Sequence, residues 1–105
     1  MRVFFTRVSY FVILWEFTEQ GLKSLKDCLQ SIEIFKGYTE RNGNPYHGTF
    51  YSFGKYGAVS LIEATEENTV RYAVLQAEQS GNLRSVALKC ITHDEAVKLA
   101  ESISS

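Results

Sequence analysis

The chain has 105 residues, 45 % of them apolar and 22 % charged, and a formal net charge of −1. That length and balance support one hydrophobic core and exclude a disordered or low-complexity protein. With 11 basic and 12 acidic residues there is no cationic excess to neutralise phosphates, so no nucleic-acid partner is expected. The two cysteines, Cys28 and Cys90, form no CxxC and have no histidine at metal-ligand spacing. A zinc site, a redox pair and a disulfide scaffold all need such spacing, so neither metal nor cofactor is expected.

Residues 1–8 read as a lead-in, with the natural start expected at Val8, and residues 9–105 as a single domain. The apolar run Tyr10 to Trp15 is far shorter than the ~20 residues that span a bilayer. It also lacks the long apolar stretch and small-residue exit of a signal peptide. A buried strand over Ser9–Phe17 fits instead, since Tyr, Phe, Val, Ile and Trp suit a pleated surface. No membrane partner is expected, and the cytoplasm is the expected location.

Thr18 offers a helix N-cap. Leu22, Leu25, Leu29, Ile32 and Phe35 follow at spacings of three and four, which predicts one amphipathic helix reaching Tyr38. Asn42-Gly43-Asn44-Pro45 stops it. A second strand is expected over Tyr46 to Phe53 and a third over Ala58 to Ala64. The short Gly54-Lys55-Tyr56-Gly57 link between them demands an antiparallel hairpin. Thr65 is the expected cap of a second helix over Glu66 to Gln79, with Val70, Ala73, Val74 and Ala77 on its apolar face. Ser80-Gly81-Asn82 ends that helix, and Leu83 to Ile91 supplies a fourth strand. Thr92 and Glu95 stand at capping-box spacing and open a short terminal helix.

The order β-α-β-β-α-β predicts an α+β, ferredoxin-like fold: a four-stranded antiparallel sheet with both long helices on one face. The first strand is apolar on both alternating sets, Phe11, Ile13, Trp15 and Phe17 against Tyr10, Val12 and Leu14. A sheet with one wet face alternates polar and apolar residues. A second copy of the chain is therefore the expected cover for the other face, as a homodimer or, by edge pairing, a higher homo-oligomer.

Placing Gly54 opposite Gly57 puts Phe53, Tyr51, Thr49 and His47 on one side of the hairpin with Ala58, Ser60, Ile62 and Ala64. Aromatic rings, a phenol, hydroxyls and an imidazole beside small residues suit the wall of a small-molecule cleft, and equally a surface that admits helices. The candidate ligand-binding residues are Tyr51, His47, Thr49, Ser60 and Trp15. His47 offers an imidazole, a side chain suited to acid or base work, and Glu63, among apolar neighbours, is a candidate raised-pKa base. These two are the candidate catalytic groups, although no triad or dyad assembles from spacing. For Glu63 the plainer expectation is an ion pair with Arg84 or Lys89. For Trp15 and the cysteines it is core packing, and for His93 solvent.

Phe11 to Thr92 resembles the GYD domain family of small bacterial and archaeal proteins. The resemblance rests on Phe11-Val12-Ile13-Leu14, Phe17-Thr18-Glu19-Gln20-Gly21, Tyr51-Ser52-Phe53-Gly54-Lys55-Tyr56-Gly57, Leu61-Ile62-Glu63-Ala64 and Gly81-Asn82-Leu83-Arg84. The turn that names the family ends in an acid, and here it ends in Gly57, so no role for that acid carries over. The resemblance implies a ferredoxin-like fold paired as a dimeric α/β barrel. Similar barrels include cofactor-free monooxygenases, small isomerases and amino-acid-sensing regulator domains, so three readings stand. The chain binds a small apolar or aromatic metabolite between sheet and helices, or it moves protons with His47, Tyr51 or Glu63, or it is a structural or protein-interaction subunit.

Overall fold

The computed structural model describes residues 9–104; the expected lead-in, residues 1–8, lies outside the described residues. Eight elements follow in order: β1 (Ser9–Phe17), α1 (Glu19–Leu22), α2 (Leu25–Arg41), β2 (Tyr46–Tyr51), β3 (Ala58–Ala64), α3 (Glu67–Glu78), β4 (Leu83–Cys90) and α4 (His93–Ser104). The sheet is four-stranded in the order β2-β3-β1-β4, with every neighbouring pair antiparallel. This is the α+β, ferredoxin-like arrangement that the element order predicts. No helix among the described residues is long and apolar enough to cross a membrane.

One core forms between the sheet and α2 and α3. Phe11, Ile13 and Trp15 of β1 and Ala58 and Ile62 of β3 meet Cys28, Ile32 and Phe35 of α2 and Val70 and Ala73 of α3. The alternate residues, Val12 and Leu14 of β1 with Val59 and Leu61 of β3, lie on the other face and are only half-buried. There they continue into Phe50, Val86 and Leu88, which are exposed. Both faces of β1 are thus apolar, and only one is packed in the protomer.

The first helix differs from its sequence reading. It breaks at Lys23-Ser24 into α1 and α2. The leucine stripe passes through the break without marking it, because Leu22, Leu25 and Leu29 are exposed. The buried side of α2 is instead Cys28, Ile32, Phe35 and Thr39. Thr18 does cap α1, accepting the Gly21 N–H at 3.0 Å and donating to the Gly81 carbonyl at 2.7 Å.

Thr65 does not cap α3. Its hydroxyl donates to the Gly43 carbonyl, and the Glu66 N–H is taken by the Asn44 side-chain oxygen at 2.9 Å. The capping box of α4 is present: the Glu95 N–H donates to the Thr92 hydroxyl oxygen at 3.2 Å, and the Thr92 N–H to the Glu95 carboxylate at 3.3 Å.

The β2–β3 hairpin also departs from its expected register. β2 ends at Tyr51, which pairs with Ala58, so the loop is longer than the four-residue turn. Thr49 then faces Ser60, and a bulge between Tyr46 and Gly48 brings Tyr46 opposite Ile62. Gly48 sits at φ 146, a conformation open to glycine and strained for other residues. Gly57 is needed for space rather than φ: a Cβ there would stand 2.7 Å from the Phe17 ring.

Candidate functional site

A two-residue change of register preserves the side to which a strand residue points. Tyr51, Thr49 and Ser60 therefore share one side of the sheet, as the hairpin reading expected; that side faces the helices, and Trp15, opposite Ala58, lies on it too. The bulge changes the rest. His47 does not join that row, and Tyr46 takes the place expected for it.

The helix-side residues build a hydroxyl chain. The Ser60 hydroxyl accepts from the Trp15 indole N–H at 2.9 Å and from the Tyr46 phenol at 2.9 Å, and it lies 3.0 Å from the Thr49 hydroxyl. Tyr46 and Thr49 also contact each other through their hydroxyls. Two lone pairs and one proton on Ser60 serve three partners, which satisfies a buried hydroxyl fully. Trp15 stands edge-on to Phe35, with centroids 5.1 Å apart. The chain runs outward from fully buried Trp15 and Ser60 to half-buried Thr49 and Tyr46, and ends beside Tyr51, which is 53 % exposed. Burial pushes the Tyr51 phenol pKa up, and the Tyr46 and Glu33 charges act in the same direction.

The α2 side of this site was not legible as such. Leu25, Leu29, Glu33 and Lys36 recur at spacings of four, four and three, so they share one flank of α2. The Lys36 Nζ lies 5.8 Å from the Tyr46 ring centroid, which sets that flank along β2. Tyr38 packs on Tyr72 of α3 from the opposite flank. This flank of α2 therefore lies on the β2 side, and Leu25 and Leu29 on it are exposed, as Tyr51 of β2 is.

The two candidate catalytic groups both lie beside Tyr10 on the open face of the sheet. Tyr10, Glu63 and His47 form a row across β1, β3 and β2. The Tyr10 phenol donates to the Glu63 carboxylate at 3.0 Å, and the Tyr10 and His47 rings are 6.1 Å apart. That hydrogen bond is the main cause of a raised Tyr10 pKa; burial and the Glu63 and Glu95 charges add to it. The ion pair expected for Glu63 is not made among the described residues. Lys89 instead joins Arg71 on Glu67, at 3.1 and 2.8 Å, and their hydrogen bonds hold the Glu67 carboxyl below the usual carboxylate range. Arg84 stands opposite Glu16 of β1.

Cys28 is fully buried, and burial pushes its thiol pKa up, as a packing residue requires. Cys90 pairs with Tyr10 in the sheet, and His93 is exposed. Among the described residues, no group of three or more His, Cys, Asp or Glu side chains is placed to hold a metal ion. An open pocket of about 410 Å³ at the other end of the sheet is lined by Thr18, Glu19, Gln20, Glu78 and Arg84. Its Thr18 and Gln20 side chains are already bonded to the Gly81 and Ser80 carbonyls, so it is mainly a corner of the fold.

No curated protein and no solved structure matches the chain. The GYD domain, in contrast, matches residues 11–100, from the third residue of β1 through most of α4. That span holds Trp15, Tyr46, Thr49, Tyr51 and Ser60 and all but the first member of the Tyr10–Glu63–His47 row, and the chain belongs to the GYD domain family.

Proposed function

We propose that this GYD domain protein is a homodimeric binding module that takes a small apolar or aromatic molecule between β2 and α2. The observation that supports the reading is the exposed apolar surface of Tyr51 at the outer end of a graded chain of hydroxyls, with Leu25 and Leu29 exposed on the α2 flank that lies on the β2 side; together these would line a groove. A flat ligand would lie against Tyr51 and place a polar end near Tyr46 and Thr49. Such a site is mostly apolar with a few fixed polar points, as small-molecule sites are.

The test is a Tyr51→Ala variant. Because Tyr51 is half out of the protein, its removal is expected to lower stability by less than about 1 kcal/mol. Loss of the aromatic wall is expected to weaken binding of an aromatic probe such as anilinonaphthalene sulfonate by about 10-fold, on the order of the contribution of one aromatic contact. Equal binding by the wild type and the variant, read by isothermal titration, would sink the groove.

A second reading has its own observation, the Tyr10–Glu63 hydrogen bond beside His47. In it the open face carries a proton-transfer group: Glu63 takes a proton from a bound substrate and Tyr10 holds the carboxylate in place. Tyr10→Phe would then lower turnover of an enolisable substrate far more than it lowers thermal stability. If a screen of lactones and quinols shows no turnover that depends on Tyr10, Glu63 or His47, this reading fails and the binding module remains.

A further inference from the structure

Helix α4 has twelve residues, none of them buried, although it carries one continuous apolar side. At 100° per residue, Ala96, Val97, Leu99, Ala100 and Ile103 fall within about half of the helix circumference, and Asp94, Lys98, Glu101 and Ser102 occupy the rest. An isolated helix of about this length is marginal in water, and its usual support is an apolar face pressed on something. In the protomer that support is missing: Leu99 and Ile103, both on the apolar side, are 52 % and 75 % exposed.

The position of α4 says where its support comes from. β4, from which it departs, is an edge strand, and Cys90 pairs with Tyr10 on the open face. Only Ile91 and Thr92 separate Cys90 from α4, so the first turn of α4 stands at the rim of that face. The face itself is Val12, Leu14, Val59, Leu61, Val86 and Leu88, and none of these residues belongs to the packed core.

We infer that α4 is an exchanged arm: it leaves the rim of its own open face and lays its Val97–Leu99–Ile103 side on a second copy of the chain. The inference rests on the face-to-face homodimer of the proposed function and extends it. Area supports the choice of occupant. Four strands at ~4.8 Å spacing and about seven residues at ~3.3 Å give a sheet face of only ~450 Å². A stable interface needs ~800 Å² from each partner. A helix ~18 Å long and ~10 Å wide, given to the partner and received from it, adds about the missing half. A two-fold axis makes that exchange reciprocal, so both arms are buried at once.

The experiment is sedimentation equilibrium on the full chain, with hydrogen exchange read over α4. Four proteins are compared: wild type, Leu99→Glu with Ile103→Glu, Glu101→Ala on the polar side, and Leu88→Glu on the open face. The wild type is expected to be a dimer whose α4 amides are protected. The double variant is expected to raise the dimer dissociation constant at least 10-fold and to lose that protection, while the circular dichroism of the body persists. Glu101→Ala is expected to match the wild type. A dimer equally tight in the double variant would overturn the arm and leave the sheet interface standing. A dimer weakened by the arm variant and untouched by Leu88→Glu would keep the arm and overturn face-to-face pairing. A monomeric wild type would overturn both, and protected α4 amides in that monomer would assign the helix to its own chain.

Discussion

Gly21→Ala is expected to cost the protein about 3–5 kcal/mol. A Cβ at Gly21 would stand 2.2 Å from the Asn82 carbonyl oxygen and 2.9 Å from the Cys28 Sγ. Neither neighbour is free to retreat. The Asn82 carbonyl accepts the Thr18 N–H at 3.0 Å and the Cys28 thiol at 3.7 Å, and Cys28 is fully buried. Overpacking of this kind costs about 1–3 kcal/mol, and each hydrogen bond broken to relieve it adds about 1 kcal/mol. A domain this small has only about 5–15 kcal/mol to lose. Gly37→Ala is the control, because Gly37 lies inside α2 and its Cβ would meet only the mobile end of Arg41 at 3.2 Å. That exchange is expected to be neutral or to stabilise by up to about 1 kcal/mol, the ordinary helix preference of alanine over glycine. Urea unfolding of the two variants decides the matter. A Gly21→Ala midpoint within error of the wild type would show that α1 and the Asn82 turn are not locked together.

That lock explains why the sequence misleads at the first helix. Leu22, Leu25 and Leu29 keep perfect helical spacing, and spacing alone cannot tell that Gly21 pins α1 to Asn82, far later in the chain. Long-range contact overrides local periodicity there. Elsewhere the local signals and the tertiary structure agree: the alternation of β1 and β3, the apolar side of α3, the glycine stop at Gly81 and the Thr92–Glu95 box are all where the sequence puts them.

The candidate site divides in the same way. Tyr51, Thr49, Ser60 and Trp15 fall on one side because that depends only on the parity of the pairing, and a register shift of two leaves parity intact. His47 and Tyr46 exchange sides because a bulge changes parity. The signal for it is present: a glycine inside a strand, as Gly48 is, often marks a bulge. Leu25 and Leu29 are visible in the sequence too, but as core. Within α2 they stand ~50–90° around the helix from the centre of the Cys28–Ile32–Phe35–Thr39 side, which leaves them exposed.

Trp15 separates the groove from the core that supports it, and its variants carry the second large effect. Trp15→Ala is expected to destabilise by about 3–5 kcal/mol, since it empties a fully buried site and removes the ring against Phe35. Two smaller changes dissect that loss. Trp15→Phe removes the indole donor while Ser60 still accepts from Tyr46, so no buried group is stranded. Ser60→Ala strands the indole N–H and takes a partner from both Tyr46 and Thr49. A buried donor without a partner costs about 1–3 kcal/mol, whereas a hydrogen bond removed together with its donor costs about 1 kcal/mol. The expected order of loss is therefore Trp15→Ala, then Ser60→Ala, then Trp15→Phe, with unfolding followed by circular dichroism because Trp15 is the one tryptophan of the chain. Binding gives a different order. A ligand lying against Tyr51 touches the outer end of the hydroxyl chain, so Trp15→Phe should bind the aromatic probe as the wild type does, and Ser60→Ala, which loosens Tyr46 and Thr49, should bind it several-fold more weakly. If Trp15→Phe weakens binding as much as Tyr51→Ala, the ligand reaches the indole, and the site extends into the core rather than stopping at the groove.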